Sequence, residues 1–229
     1  MPDFNIVKEI VPLKSFRTES IKGQFDLKIE KVTEKFSGNI DIENKQWSVG
    51  LIVGRSGSGK STIAREIFGE NYISNFQYDD RSVIDNMSKE RSTQEITKTF
   101  NSVGFATVWS WLKPYSVLST GEKMRCDLAR AILSDNQMIV FDEFTSVVNR
   151  VVAKTASFAI SKAIRKSNKK FVAVSCHDDI VDWLEPDWIY NTDKCQFFFV
   201  QKNTKDQKSK LKSGNAERMN GKFLKSITI

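Results

Sequence analysis

The chain has 229 residues, 40% of them hydrophobic and 28% charged, with a formal net charge of +7. This length suffices for one substantial core, the composition is that of a soluble globular protein, and no uninterrupted apolar run approaches the ~20 residues that span a bilayer. The charge is uneven: residues 202–229 carry eight Lys and Arg against two acids, a net +6, which leaves +1 for residues 1–201.

Asp3, Lys8 and Glu9 make the first segment unlike a secretory signal. The run FDLKIEKV (25–32) alternates apolar and polar residues as a half-buried strand does. WSVGLIV (47–53) reads as a buried parallel strand that enters a glycine-rich loop, and residues 61–68 as a helix. Residues 82–116 are polar and expected to be helical, with Pro114 as a break. Ser119-Thr120-Gly121-Glu122 then opens an apolar-periodic helix with the signature of a capping box. QMIVFDEF (137–144) is a second buried strand, residues 150–166 a helix, and FVAVSCH (171–177) a third strand. WIYNTDKCQFFFV (188–200) reads as a hairpin turning near residues 191–194. Strands alternating with helices predict an α/β domain with a largely parallel sheet. The last ~28 residues, rich in Lys, Ser and Asn, read as a poorly ordered tail. Cys126, Cys176 and Cys195 form no C-x-x-C pair, which argues against a disulfide scaffold or a zinc site and fits a reducing cytoplasm. The single histidine, His177, excludes chemistry that needs two.

Gly54, Arg55, Ser56, Gly57, Ser58, Gly59, Lys60, Ser61 and Thr62 fit G-x-x-x-x-G-K-[ST] between a strand and a helix. Glycines let successive backbone N–H groups turn inward to cradle phosphate oxygens, which the helix N-terminus also attracts. Lys60 can reach the β- and γ-phosphates of ATP, and the Ser61 hydroxyl can ligate Mg²⁺. Asp142 and Glu143 end the second strand. There Asp142 is the metal-side carboxylate and Glu143 the candidate base for an attacking water.

The order of these motifs resembles the nucleotide-binding domain of the ABC ATPase superfamily over about residues 20–200. The phosphate loop is followed by Gln77 in NFQYDD, LSTGE (118–122) where the family has LSGGQ, FDEF (141–144), SVVNR (146–150) and SCH (175–177). The resemblance implies a P-loop NTPase with a mostly parallel RecA-like sheet, N-terminal antiparallel strands and a small helical subdomain, about 82–125, that carries the signature. It implies an ATPase domain over 1–201 followed by the basic segment 202–229, and hydrolysis of ATP with Mg²⁺ in a nucleotide-sandwich homodimer. Gln77 would sit at the metal and sense the γ-phosphate, and His177 would hydrogen-bond that phosphate from the same subunit. Ser119 and Gly121 would contact the γ-phosphate of ATP held by a second subunit. Thr120, Glu122 and Asn149 depart from the family pattern, Asn149 replacing an aspartate that helps couple the two sites. Phe36 is the candidate to stack on adenine, with a place in the core as its alternative.

Two roles for such an ATPase follow. The first is a transporter-free ATPase of the cytoplasm, of a type found in bacteria and mobile elements. Its work would be on nucleic acid, through the basic segment, or on a protein partner, at the helical subdomain near Trp109, Trp111 and Tyr115. The second is the ATP-binding subunit of a membrane transporter whose permease is a separate chain. A weakly hydrolysing regulatory module is a third role, which Asn149 permits and Glu143 opposes.

Overall fold

The structure is a computed structural model that describes residues 3–28, 31–73 and 75–200. The basic segment 202–229, and with it the expected tail and nucleic-acid contact, lies outside the described residues. In chain order the elements are β1 (Asp3–Ile10), α1 (Phe16–Gln24), β2 (Val32–Asn39), β3 (Val49–Val53), α2 (Lys60–Phe68), β4 (Tyr72–Ile73), α3 (Thr93–Ser102), α4 (Val108–Trp111), α5 (Thr120–Leu133), β5 (Met138–Phe141), α6 (Arg150–Arg165), β6 (Lys170–Ser175), α7 (Ile180–Leu184), β7 (Trp188–Asn191) and β8 (Gln196–Phe199).

One sheet has the order β4-β5-β6-β3-β7-β8. Every pairing in it is parallel except the closing β7–β8 hairpin. Strand β3 lies in the middle, and all five of its residues are buried. The pleat sends Val49, Leu51 and Val53 into one core with Leu128 and Ala129 of α5 and Ile160 and Ile164 of α6. It sends Ile52 into the other, with Ile63, Ala64 and Phe68 of α2 and with Trp188 and Tyr190. Helices thus cover both faces, which is why these strands are written as unbroken apolar runs. Buried Asp187 fixes one end of the sheet: its carboxylate accepts from the Ser48 and Val49 N–H groups at 2.8 and 2.9 Å and from Arg165 at 3.0 Å.

Strands β1 and β2 form a separate antiparallel pair in eight-residue register, Asp3 to Asn39 through Ile10 to Val32. Phe4 and Phe36 carry this pair against the second core. Of the strand expected over 25–32, the described residues 25–28 and 31 are not strand, and β2 begins at Val32. Helix α1, started by a Ser15–Thr18 capping box, ends just before that stretch. Asp26 takes a left-handed φ of 48° and the Leu27 N–H bonds Lys22 O at 2.8 Å, closing the helix end before a strand can start.

The stretch 82–116 is less helical than expected. Helix α3 starts at a Ser92–Glu95 capping box and ends before Gly104, whose φ is +80°. Only the short α4 follows, and Pro114 precedes a single 3₁₀ turn. Among the described residues no helix is long and apolar enough to cross a membrane.

Candidate nucleotide site

The loop between β3 and α2 wraps round the start of the helix because its glycines take left-handed conformations that other residues seldom adopt. Gly59 caps α2 with φ +85°, and a Cβ there would lie 2.3 Å from the Phe36 ring. Gly57, at φ +80°, faces open space. The β7–β8 turn braces the loop from behind: Asp193 accepts from the Arg55 N–H at 2.9 Å, and the Ser58 and Thr192 hydroxyls share a 2.6 Å hydrogen bond. Lys60 is 8% exposed, and its Nζ donates to Arg55 O at 2.7 Å, curling the ammonium back over the loop. Lys8 of β1 donates to Thr62 Oγ1 at 2.7 Å, tying the antiparallel pair to the same loop.

A cleft of about 310 Å³ opens over this loop. Ser56, Gly57, Gly59, Lys60, Ser61 and Thr62 line it together with Glu143, Glu34, Phe36 and Cys176. Asp142 does not line the cleft; it is 9% exposed next to Ser61, accepting from Ser61 Oγ at 3.0 Å and from the Tyr72 hydroxyl. Burial, then the bond to Asp142, pushes the Tyr72 hydroxyl above its ordinary value. Glu143 is exposed and has a φ of +50°. Buried Thr145 follows at +67°, a conformation rare for a β-branched residue. The backbone therefore turns sharply after β5 and presents the Glu143 carboxylate to the cleft, while Phe144 drops into the core.

The remaining expected site residues lie elsewhere. Arg55 points outward and pairs with Asp193. Gly54 is buried against Thr192. Gln77 is exposed, its carbonyl held by Arg130 at 2.7 Å. His177 follows β6, half-buried, with its N–H on Ser175 Oγ at 3.2 Å; the neighbouring Cys176 lines the cleft in its place. Ser119 is exposed at the N-terminus of α5, where its Oγ donates to Glu122 Oε2 at 2.6 Å and accepts from the Glu122 N–H at 3.4 Å. Gly121 lies in the first turn, beside Val152. The hydroxyl of Ser110, then that of Ser119, holds the Glu122 carboxyl at about 2. Asn149 caps α6 by accepting from the Val152 N–H at 2.9 Å, a duty an aspartate performs equally well.

Glu34, Tyr72, the Cys176 side chain and the Thr192–Asp193 brace escaped the sequence reading. Cys176 lies within SCH, but the others belong to no motif and come to the site through the fold. Of the aromatic cluster, Trp111 is buried with its Nε1 on Phe105 O and Tyr115 stacks on Tyr78, whereas Trp109 is 75% exposed.

The NB-ARC domain model, which describes P-loop NTPases, matches residues 25–168, more than half of the chain. The processing and transport ATP-binding protein LagD for lactococcin G, from Lactococcus lactis subsp. lactis, is 25% identical over 199 residues. That match takes in 66% of this chain and 28% of LagD. The methionine import ATP-binding protein MetN of Clostridium tetani (strain Massachusetts / E88) is 26% identical over 174 residues, 58% of this chain and 52% of MetN. The chain thus spans about half, or less, of the length of these relatives. Among solved structures, the dimeric ATP-binding cassette MJ0796 in a post-hydrolysis state with ADP and Pi shares the fold. Its TM-score is 0.58 at 16% identity, over 76% of this chain and 94% of that one. With a phosphate loop on the central strand, an acid pair on the next strand but one and the helix α5 between them in sequence, the chain belongs to the P-loop NTPases described by the NB-ARC family model and shares the fold of ABC nucleotide-binding cassettes.

Proposed function

We propose that this chain hydrolyses ATP in a sandwich of two copies, each phosphate loop closed by the other copy's signature helix. The observation that carries the reading is the single cleft in which Lys60, Ser61 and the other loop residues face Glu143. Loop N–H groups and Lys60 hold the triphosphate, and Glu143 orients and deprotonates the attacking water. Ser61 and Asp142 would hold Mg²⁺. One hydroxyl and one carboxylate, both oxygen donors, suit a hard ion that takes its other ligands from phosphate and water. When bound, the ion neutralises charge on the phosphates. Among the described residues there is no cluster of three or more His, Cys, Asp or Glu for another kind of metal.

Gln77 is assigned to the metal side, His177 to the γ-phosphate, and Ser119 with the Gly121 N–H to the ATP of the second copy. The exposed α5 N-terminus supports the last assignment, since helix N-termini attract phosphate. Replacing Glu143 with Gln slows hydrolysis and leaves binding, so light scattering with saturating ATP is expected to find a dimer. A monomer under those conditions refutes the sandwich.

We assign residues 1–201 to the ATPase domain, with about 82–125 as its helical subdomain and 202–229 as a basic appendage. The role we favour is a cytoplasmic, transporter-free ATPase that works on nucleic acid or a protein. Val108, Trp109, Leu112 and Val117, all more than half exposed just before the signature, support a protein contact there. The names of LagD and MetN favour the second reading, the ATP-binding subunit of a transporter with a separate permease. ATPase rates with and without DNA at two salt concentrations test this: stimulation that fades with salt supports nucleic-acid work, and none, together with a permease gene next door, supports the transporter reading.

A further inference from the structure

The helix that carries Ser119 also grips the loop that carries Gln77. One turn beyond the signature, Asp127 of α5 spreads its carboxylate between two phenols: Oδ1 accepts from the Tyr78 hydroxyl at 2.8 Å and Oδ2 from the Tyr115 hydroxyl at 2.7 Å. The two rings are stacked, 3.9 Å between centroids and 4° from parallel. Burial raises the Asp127 carboxyl above its ordinary value, against the pull of the two hydroxyls. A carboxylate withdrawn from water in this way depends on those donors. Three residues on, Arg130 lays its guanidinium over Tyr78 at 4.5 Å and Phe76 at 5.1 Å and donates to Gln77 O at 2.7 Å. Both neighbours of Gln77 and its own carbonyl are thus fastened to α5, while the Gln77 side chain stays exposed. Tyr115 lies on the other side of the signature, in the 3₁₀ turn that leads into Ser119.

We propose that Asp127 is a positioning residue that locks the Gln77 loop, the Tyr115 turn and the signature helix into one body. A shift of Gln77 on its own ATP then moves the Ser119 that this chain offers to a second copy. Asp127 and Tyr115 lie outside the nucleotide-binding motifs, and Tyr78 follows Gln77 in NFQYDD with no nucleotide role assigned to it. The coupling between sites rests on the sandwich reading above, whereas the lock within one chain does not.

Two variants test it. In Asp127→Asn the charge is lost and one carboxylate oxygen becomes an NH₂ donor, so one of the two phenol-to-carboxylate hydrogen bonds is removed and that phenol can only accept. The Tyr78→Phe/Tyr115→Phe pair keeps the stack and removes both donors. ATP is added to parent and variants, and amide hydrogen exchange is followed at 75–79 and at 115–122. The parent is expected to change protection in both segments and each variant in 75–79 alone. In steady-state turnover the Hill coefficient for ATP is expected to fall from near ~2 to about 1, with single-site ATP affinity held within about twofold. A variant in which 115–122 still responds to ATP as in the parent overturns the proposal, as does a parent in which it never responds. A parent that stays monomeric and non-cooperative refutes the sandwich, and the exchange result then decides the lock alone. If Asp127→Asn fails to fold, the paired Phe variant carries the test.

Discussion

The Ser61 hydroxyl donates a 3.0 Å hydrogen bond to Asp142 Oδ1, joining residues 81 apart in sequence. It sets the start of α2 against the chain just after β5, so the two oxygen donors proposed for Mg²⁺ lie side by side. Asp142→Asn keeps the shape and loses the charge. Its kcat is expected to fall by about 100-fold or more, near 3 kcal/mol of barrier, while nucleotide binding survives. Turnover over a series of Mg²⁺ concentrations checks this, and a parental kcat throughout would sink the metal-side assignment.

Lys60 supplies a charged donor to the cleft, from a stem that is itself buried. A lost charge-assisted hydrogen bond costs about 1.5–3 kcal/mol, so Lys60→Ala is expected to weaken ATP binding by about 10- to 100-fold. Titration with a fluorescent ATP analogue measures it. Affinity equal to the parent's would remove the triphosphate from this loop.

Gly59 is held between its own backbone and Phe36. Alanine there meets both a left-handed φ and a ring 2.3 Å from its Cβ. Together these are expected to cost about 2 kcal/mol or more, a fall of roughly 4–8 °C in Tm for a chain of this size. Phe36→Ala in the same chain removes the ring and should return part of the loss. If the double variant melts no higher than Gly59→Ala, the contact is not what excludes a side chain.

The buried parallel strands were legible because both of their faces are covered, so that 47–53, 137–144 and 171–177 read as apolar runs. The Ser119–Glu122 capping box was legible because it is local, and it is present at α5 as expected. The end of α1 was not, because the alternation of 25–32 suits a strand equally well and the left-handed turn at Asp26 decides the matter. The site divides along the same line. Ser56 to Thr62 and Glu143 could be read from motifs, since each motif is contiguous and flanks a strand end. Tyr72 reaches Asp142 from a two-residue strand, which leaves no periodic or spacing signal. Cys176 lies within SCH, but its place beside the loop comes from the β3–β6 pairing, which pairs Val53 with Ser175.

Glu122 stands where the family signature has glutamine, and both its charge and its hydrogen bonds make predictions. The Ser110 hydroxyl, the Ser119 hydroxyl and the Ser119 N–H hold its carboxyl at about 2, against an ordinary 4.5. A carboxyl lowered in the folded state stabilises the fold above its unfolded value, and this stabilisation is lost as pH falls from about 5 towards 2. The parent's Tm should therefore drop more steeply over that window than that of Glu122→Gln, whose amide does not titrate. Asp79 and Glu95 are also lowered but titrate alike in both chains, so the difference in slope belongs to Glu122. Near pH 7 the same carboxylate places a negative charge at the helix end proposed to meet a second copy's triphosphate. In the Glu143→Gln background, Glu122→Gln should form the ATP-bound dimer at lower ATP, as read by light scattering. Equal pH slopes would refute the carboxylate's part in stability. An unchanged ATP requirement would mean that this helix end does not face the phosphates.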